Sequence, residues 1–151
     1  MSAGSHGCCG KAWPRFPVSA CSARIRRPRR CRATFTVEGV PHALVAARLA
    51  AEEAIGVGHG CFCAHPYVMR LLGLTREQVR RYRAQMRHGD RSAAPGAVRA
   101  STSLNTTEGD IDRLLDAVER VAYGDPPPIP YRQDRRTGDF HPCGNVPGLT
   151  G

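Results

Sequence analysis

Apolar and polar positions follow regular periods only in the middle of this chain. Residues 33–37 alternate and are rich in β-branched side chains, which predicts a strand, and Gly39 turns the chain after it. Pro41 suits the first position of a helix, and the alanine- and leucine-rich run 42–54 continues that helix. The side expected to face a core carries Leu44, Val45 and Leu49.

A loop containing glycine and cysteine, residues 58–65, separates this helix from the next one. We expect residues 55–57 to end a buried strand that leads into the loop, and Pro66 to open a short helix that Gly73 terminates. The side chains expected to pack inward from that helix are Val68, Leu71 and Leu72. The loop is then held at both ends by apolar structure, which suits a loop that positions a side chain for chemistry.

Residues 75–88 predict a third helix. Thr75 and Gln78 have the spacing of a capping box, and Gly89 follows the helix. Its inner stripe consists of Val79, Tyr82 and Met86, and another face carries Arg76, Arg80, Arg81, Arg83 and Arg87. A solvated helix face is the favoured interpretation of the arginines, and a docking surface for an acidic partner is the alternative.

Residues 97–104 alternate as a strand, and a final amphipathic helix follows Thr107 and ends at Gly124. One strand face holds Val98, Ala100, Thr102 and Leu104, and the other holds Arg99, Ser101 and Ser103. Small neighbours leave the Arg99 guanidinium unobstructed, which suits a clamp for a carboxylate. An inert, solvent-exposed arginine is the alternative. The apolar positions of the helix are Ile111, Leu114, Leu115, Val118, Val121 and Ala122.

These elements predict an α+β fold: a small two-layer sandwich in which a short, mainly antiparallel sheet is covered on one side by helices. Residues 1–32 show no period and contain three prolines, so we interpret them as a basic, disordered arm. Residues 33–123 form the predicted domain. Residues 124–151 form a Pro/Gly-rich tail that we expect to be extended, either along the surface or mobile.

The formal charge of +9 belongs to the arm and not to the predicted domain. Residues 1–37 hold eight basic side chains and no acidic one, whereas the rest of the chain holds 14 basic and 13 acidic side chains. The sequence therefore does not favour nucleic acid as a partner of the domain. The favoured interpretation of the arm is a disordered leader, or a sequence unrelated to the domain that a truncation, an altered start or a frame change has left. A phosphate-binding arm and an acid-poor transit peptide are the alternatives.

The seven cysteines show no spacing typical of a disulfide framework, and no secretory signal follows the arginines. No segment approaches the roughly 20 consecutive apolar residues that a membrane span requires. We therefore expect a cytoplasmic location and no membrane partner.

Two stretches together resemble the C-terminal small domain of the class V aminotransferases, the pyridoxal-phosphate enzymes of fold type I that include the cysteine desulfurases. The first is Gly-Cys-Phe-Cys-Ala-His-Pro at residues 60–66, and the second is Val-Arg-Ala-Ser at residues 98–101, which continues to the helix at 106–114. The strand and helix before residue 55 also resemble those of the family. The resemblance covers somewhat more than half of the chain and supports the predicted fold.

The resemblance implies two site residues. In the desulfurases a loop cysteine accepts the sulfur of a cysteine substrate as a persulfide and leaves alanine, and Cys63 matches that position. Arg99 matches the arginine that binds the substrate carboxylate. A thiolate nucleophile requires exposure and a positive charge or helix N-terminus nearby, and Cys63 lies just before the predicted helix at Pro66.

The family's cofactor depends on a lysine that this domain lacks. Relatives hold pyridoxal phosphate on a lysine of the large domain, whereas Lys11 in the arm is the only lysine here. We therefore expect a truncated fragment that binds no cofactor alone and is inactive by itself. Its partners in the family are a large domain that binds pyridoxal phosphate and a second subunit of a homodimer.

Two other kinds of protein compete with this interpretation. The first is a protein-interaction module without enzymatic activity, or a gene remnant. The second, less favoured, is a metal-binding loop formed by His59, Cys61, Cys63 and His65, with His141 and Cys143 as a second pair. Only one residue separates Cys61 from Cys63, whereas structural zinc sites normally use a wider spacing, so we predict no metal site.

Overall fold

The computed structural model describes the backbone of residues 18–20 and the whole of residues 32–144. Most of the arm, and with it the prediction that residues 1–32 are disordered, lies outside the described residues. The arm residues that the structure describes lie in strands: residues 18–20 form one strand, and Arg32 begins another.

Six strands and four helices follow one another along the described residues. The strands are β1 (Val18–Ala20), β2 (Arg32–Val37), β3 (Gly58–Gly60), β4 (Ala97–Ser101), β5 (Tyr131–Gln133) and β6 (Phe140–Pro142). The helices are α1 (His42–Glu53), α2 (His65–Leu71), α3 (Arg76–Arg87) and α4 (Glu108–Ala122).

The first four strands form one antiparallel sheet in the order β1-β2-β4-β3. In its centre Phe35 of β2 pairs with Val98 of β4, and Val98 also pairs with His59 of β3. Because side chains alternate along a strand, Phe35, Val37 and Val98 share one face. Thr34, Thr36 and Arg99 occupy the opposite face.

The core lies between that apolar face and two helices. Helix α1 contributes Val45 and Leu49, and α4 contributes Ala117, Val118 and Val121 to a cluster with the apolar side chains of β2 and β4. Phe35, Val45 and Val98 are fully buried. The predicted α+β fold, with a short antiparallel sheet and covering helices, is therefore confirmed.

The capping box that the sequence predicts at Thr75 is present in the structure. In α3 the Thr75 hydroxyl accepts from the backbone N–H of Gln78, and the Gln78 side chain accepts from the backbone of Thr75. Thr107 and Asp110 make the same reciprocal contacts at the start of α4. None of the α3 side chains is buried, so the predicted inner stripe of Val79, Tyr82 and Met86 is only half-buried.

Three local predictions are wrong. Residues 55–57 are not a strand, because the backbone N–H of Ile55 binds the carbonyl of Leu49 and so completes the end of α1. The third strand starts at Gly58 instead. In α2, Met69 is buried in the place expected for Leu71, which is 45% exposed. Strand β4 ends at Ser101, because the backbone N–H of Ser103 binds the Thr106 hydroxyl and turns the chain, leaving Leu104 exposed.

The C-terminal segment contains a hairpin that the sequence pattern did not predict. Strands β5 and β6 pair antiparallel, with Arg132 opposite His141. The Tyr131 hydroxyl donates to Glu52 of α1 over 3.0 Å, which ties the hairpin to the helix. Glycine is required in the hairpin turn at residue 138, where φ is +87° and a Cβ atom would lie 2.7 Å from the Arg91 carbonyl oxygen. No helix among the described residues is long and apolar enough to cross a membrane.

Candidate functional site

Arg99 stands in the middle of the sheet, on the face that α1 and α4 leave uncovered. Its strand β4 lies between β2 and β3, and the residues directly opposite Arg99 are Thr34 and Gly58. The neighbouring Val98 is buried on the other face, so the strand alternation confirms the predicted outward direction of the Arg99 side chain. The arginine is anchored by a rigid central strand while its side chain is exposed.

The Arg99 guanidinium stacks on an aromatic ring from the loop after β3. Its Cζ atom lies 4.4 Å from the centroid of Phe62, a cation–π distance. The pair packs against Gly58, where a Cβ atom would lie 3.5 Å from Phe62 and 3.8 Å from Arg99, in ordinary van der Waals contact. Within the described residues nothing accepts a hydrogen bond from Arg99, so its donors are available for an anionic ligand.

The loop that carries Phe62 is a tight turn with unusual backbone angles. The backbone N–H of Ala64 donates to the Cys61 carbonyl over 2.8 Å, and φ is +49° at Phe62 and +59° at Cys63. Two consecutive positive values are characteristic of a type I′ turn, which glycine and asparagine normally occupy. Non-glycine residues in this conformation store strain, and such strain is common at functional sites.

The turn gives its two cysteines opposite environments. Cys63 is exposed, whereas Cys61 is half-buried and its Sγ donates to the Pro95 carbonyl over 2.8 Å. Burial raises the pKa of the Cys61 thiol, which makes this residue a poor nucleophile at neutral pH. Of the two, Cys63 is therefore the cysteine that a solute can reach.

An apolar groove lies beside Arg99, with a volume of about 390 Å³. Its walls come from the sheet face, from Phe62 and from α2, and they include Thr34, Thr36, Tyr67, Leu71 and Leu72. Arg99 is the charged residue of this lining. The structure thus brings Arg99 and Phe62 to the groove, and places Cys63 next to Phe62 on the turn.

The proposed metal ligands do not converge. Among residues 32–144 no group of three or more histidine, cysteine or acidic side chains is arranged to hold a metal ion. His59 instead faces Asp139 of the hairpin, with Nε2 3.6 Å from the carboxylate, and its ring is 5.4 Å from that of His42.

The cluster of His42, His59 and Asp139 was not found by sequence reasoning. Nε2 of His42 is 3.0 Å from the Ala94 carbonyl oxygen, and the Nδ1 atoms of both histidines are buried without a partner. Burial is the main cause that lowers the pKa of His42, and charge repulsion from the nearby His59 lowers it further. The three residues are 17 to 97 positions apart in the chain, so no local pattern links them.

The described residues do not fit pyridoxal phosphate as a covalently held cofactor. They contain no lysine, because Lys11 lies outside the described part of the chain.

Comparison of the chain with protein-family models gives no match, and comparison with curated proteins gives no significant match either.

Proposed function

We propose that this chain supplies a substrate-carboxylate subsite of the class V aminotransferase type. Arg99 binds the carboxylate, and Cys63, which follows Phe62 on the turn, presents a thiol as the sulfur acceptor of a desulfurase-like reaction. A large domain that binds pyridoxal phosphate, on another polypeptide, supplies the remaining chemistry, so the chain is inactive on its own. The observation that carries this proposal is the Arg99 guanidinium stacked on Phe62, the residue next to Cys63.

The Arg99 environment supports recognition of a carboxylate. A guanidinium offers two parallel N–H donors that match the two oxygens of a carboxylate, and stacking on Phe62 limits the orientations of this fork. Because no protein acceptor within the described residues competes for these donors, a ligand would not have to displace an existing ion pair.

The groove beside Arg99 supports a second polypeptide. Tyr67 is 57% exposed and Leu71 is 45% exposed at its edge, so large apolar surfaces meet water in the isolated chain. Contiguous exposed apolar surface of this kind marks an interaction site. A large domain packed on this sheet face would cover both side chains and close the site around Arg99.

Alkylation with a charged and an uncharged reagent tests both site residues together. Iodoacetate carries a carboxylate, whereas iodoacetamide does not, and Cys63 displaces iodide from either one. We expect Arg99 to favour iodoacetate at Cys63, and Arg99→Gln to lower the iodoacetate-to-iodoacetamide rate ratio about two- to fivefold, as expected for the attraction between opposite charges in water. Fragmentation mass spectrometry of the labelled peptide separates Cys63 from the slower Cys61.

Arg132→Gln is the matched control, because Arg132 is an exposed strand arginine of the hairpin. An unchanged ratio at Cys63 in Arg99→Gln, or an equal change in Arg132→Gln, contradicts the assignment of Arg99. The unmodified chain supplied with pyridoxal phosphate and L-cysteine is expected to release no sulfide. Sustained release contradicts the proposed dependence on a second polypeptide.

A further inference from the structure

Helix α3 carries a straight row of arginines. Arg76, Arg80, Arg83 and Arg87 are separated by four, three and four positions, which places them on one face of the helix. At a rise of about 1.5 Å per residue the row is roughly 16 Å long. All four side chains are exposed, and we call this row the basic ridge.

The charge of the basic ridge is not neutralised by neighbouring carboxylates. The ion pairs seen among the described residues involve Arg48, Arg120, Arg135 and His59, and none involves the ridge. Glu77 is the only acidic residue of α3 and stands three positions before Arg80 and four before Arg81, but it forms no ion pair with either among the described residues.

The hairpin extends the same positive surface. The backbone N–H of Arg91, just beyond α3, donates to the Arg135 carbonyl over 2.7 Å, and Arg135 also pairs with Asp90. The exposed Arg135 therefore lies close to the segment that follows α3, and Arg136 is its neighbour in the chain. Segments 76–91 and 132–136 together hold nine arginines and three acidic residues, whereas the rest of residues 32–144 hold six arginines and ten acidic residues.

We propose that the basic ridge and the hairpin turn bind the phosphodiester backbone of nucleic acid without sequence preference. Arginine suits phosphate because its fork donates two hydrogen bonds to one group. Binding a dense row of phosphates also releases condensed counterions, a gain that isolated ion pairs at a protein surface do not provide.

The same surface is poorly suited to a protein or membrane partner. Protein interfaces centre on buried apolar or aromatic anchors, and membrane-surface helices insert an apolar face. The exposed large apolar side chains of the described residues are Tyr67, Leu71, Leu104 and Tyr123, and none of them belongs to α3 or to the hairpin. The best-fitting partner therefore carries regularly spaced negative charges and needs no apolar contact.

The test measures binding of the full chain to fluorescein-labelled duplex and single-stranded DNA of mixed sequence, by anisotropy over a series of salt concentrations. The ridge variant combines Arg76→Gln, Arg80→Gln, Arg83→Gln and Arg87→Gln. Since no α3 side chain is buried, we expect it to fold normally, which circular dichroism checks. Its affinity is expected to fall at least about tenfold, and the slope of log K against log salt to flatten by about three to four.

The arm provides a control with the same loss of charge: Arg24→Gln, Arg26→Gln, Arg27→Gln and Arg29→Gln combined. We expect this control to bind DNA more tightly than the ridge variant. A second ridge variant, which combines Arg76→Lys, Arg80→Lys, Arg83→Lys and Arg87→Lys, is expected to bind DNA more tightly than the variant with the four glutamine substitutions. The proposal is overturned if the ridge variant binds DNA like the unmodified chain, or if the arm variant loses as much as the ridge variant. The proposal is also overturned if poly-L-glutamate displaces the labelled DNA as effectively as unlabelled DNA does at the same concentration of negative charge.

Discussion

At the scale of single residues, Arg48 is the charged side chain on which several elements converge. It is only 7% exposed, and its Nε donates to Glu52 over 2.8 Å while its Nη1 donates to the Asp125 carbonyl over 2.9 Å. Glu52 also accepts from the hydroxyl of Tyr131, and burial together with this hydrogen bond raises the pKa of Tyr131 to about 12. One buried guanidinium thus links α1 to the turn after α4 and, through Glu52, to the hairpin.

We expect Arg48→Met to lower the free energy of unfolding by about 3 kcal/mol, because removing one partner leaves the carboxylate of Glu52, only 14% exposed, without its cation. Arg120→Met is the control: Arg120 pairs with Glu53, but its side chain is 45% exposed, and exposed pairs contribute about 1 kcal/mol or less. Urea denaturation of both variants measures the difference. Equal losses would show that Arg48 acts only as a surface charge.

At the scale of elements, α3 and α4 begin with the same capping box but differ in what they pack against. Helix α4 buries Ala117, Val118 and Val121 against the sheet, whereas α3 buries no side chain. Loss of the α4 cap therefore lowers the stability of the whole fold, because α4 is part of the core. Loss of the α3 cap mainly makes local opening of α3 easier, because that opening exposes little apolar surface.

Thr107→Ala is accordingly expected to lower the free energy of global unfolding by about 1 kcal/mol, the usual contribution of a threonine cap. Thr75→Ala is expected to change it by less than about 0.5 kcal/mol while accelerating hydrogen exchange of the α3 amides. Urea denaturation and exchange monitored by mass spectrometry check the two variants. A larger global loss for Thr75→Ala than for Thr107→Ala would contradict this difference in packing.

At the scale of the whole molecule, the cluster of His42, His59 and Asp139 joins the start of α1, strand β3 and the hairpin. Gly96 permits this close approach, since a Cβ atom there would lie 2.6 Å from His42 and 2.8 Å from Gly60. Burial lowers the pKa of His42 in the folded chain. The unfolded chain then binds protons more readily at this residue than the folded chain does.

The sign of the pH dependence follows from that difference. The contribution of His42 to stability is complete above the unfolded pKa of 6.5 and is lost progressively as the pH falls below it. We expect the urea midpoint of the unmodified chain to drop between about pH 7.5 and about pH 5. In His42→Gln the drop is expected to be smaller. A drop of the same size in both proteins would assign the pH dependence to other groups.

The near-neutral net charge of the described domain conceals an uneven distribution of charge over its surface. Residues 33–144 are nearly neutral by count, and this count alone does not favour nucleic acid as a partner. In three dimensions the hairpin turn docks at Arg91 and adds its arginines to those of α3, while the acidic side chains of α4 lie on another element. The net charge adds the arginines of α3 and the hairpin to the acidic side chains of α4, whereas a partner contacts only one of these two regions.

The sequence by itself determined what depends on near neighbours. Alternation placed Val98 inward and Arg99 outward, helical spacing placed Val118 and Val121 on the core side of α4, and the caps at Thr75 and Thr107 follow from residues three positions apart. Only the tertiary structure decided the β1 pairing, the hairpin docked on α1, the Phe62 ring under Arg99 and the histidine cluster. These contacts join segments far apart in the chain, and their free energy depends on how the sheet orders its strands, which no short-range pattern encodes.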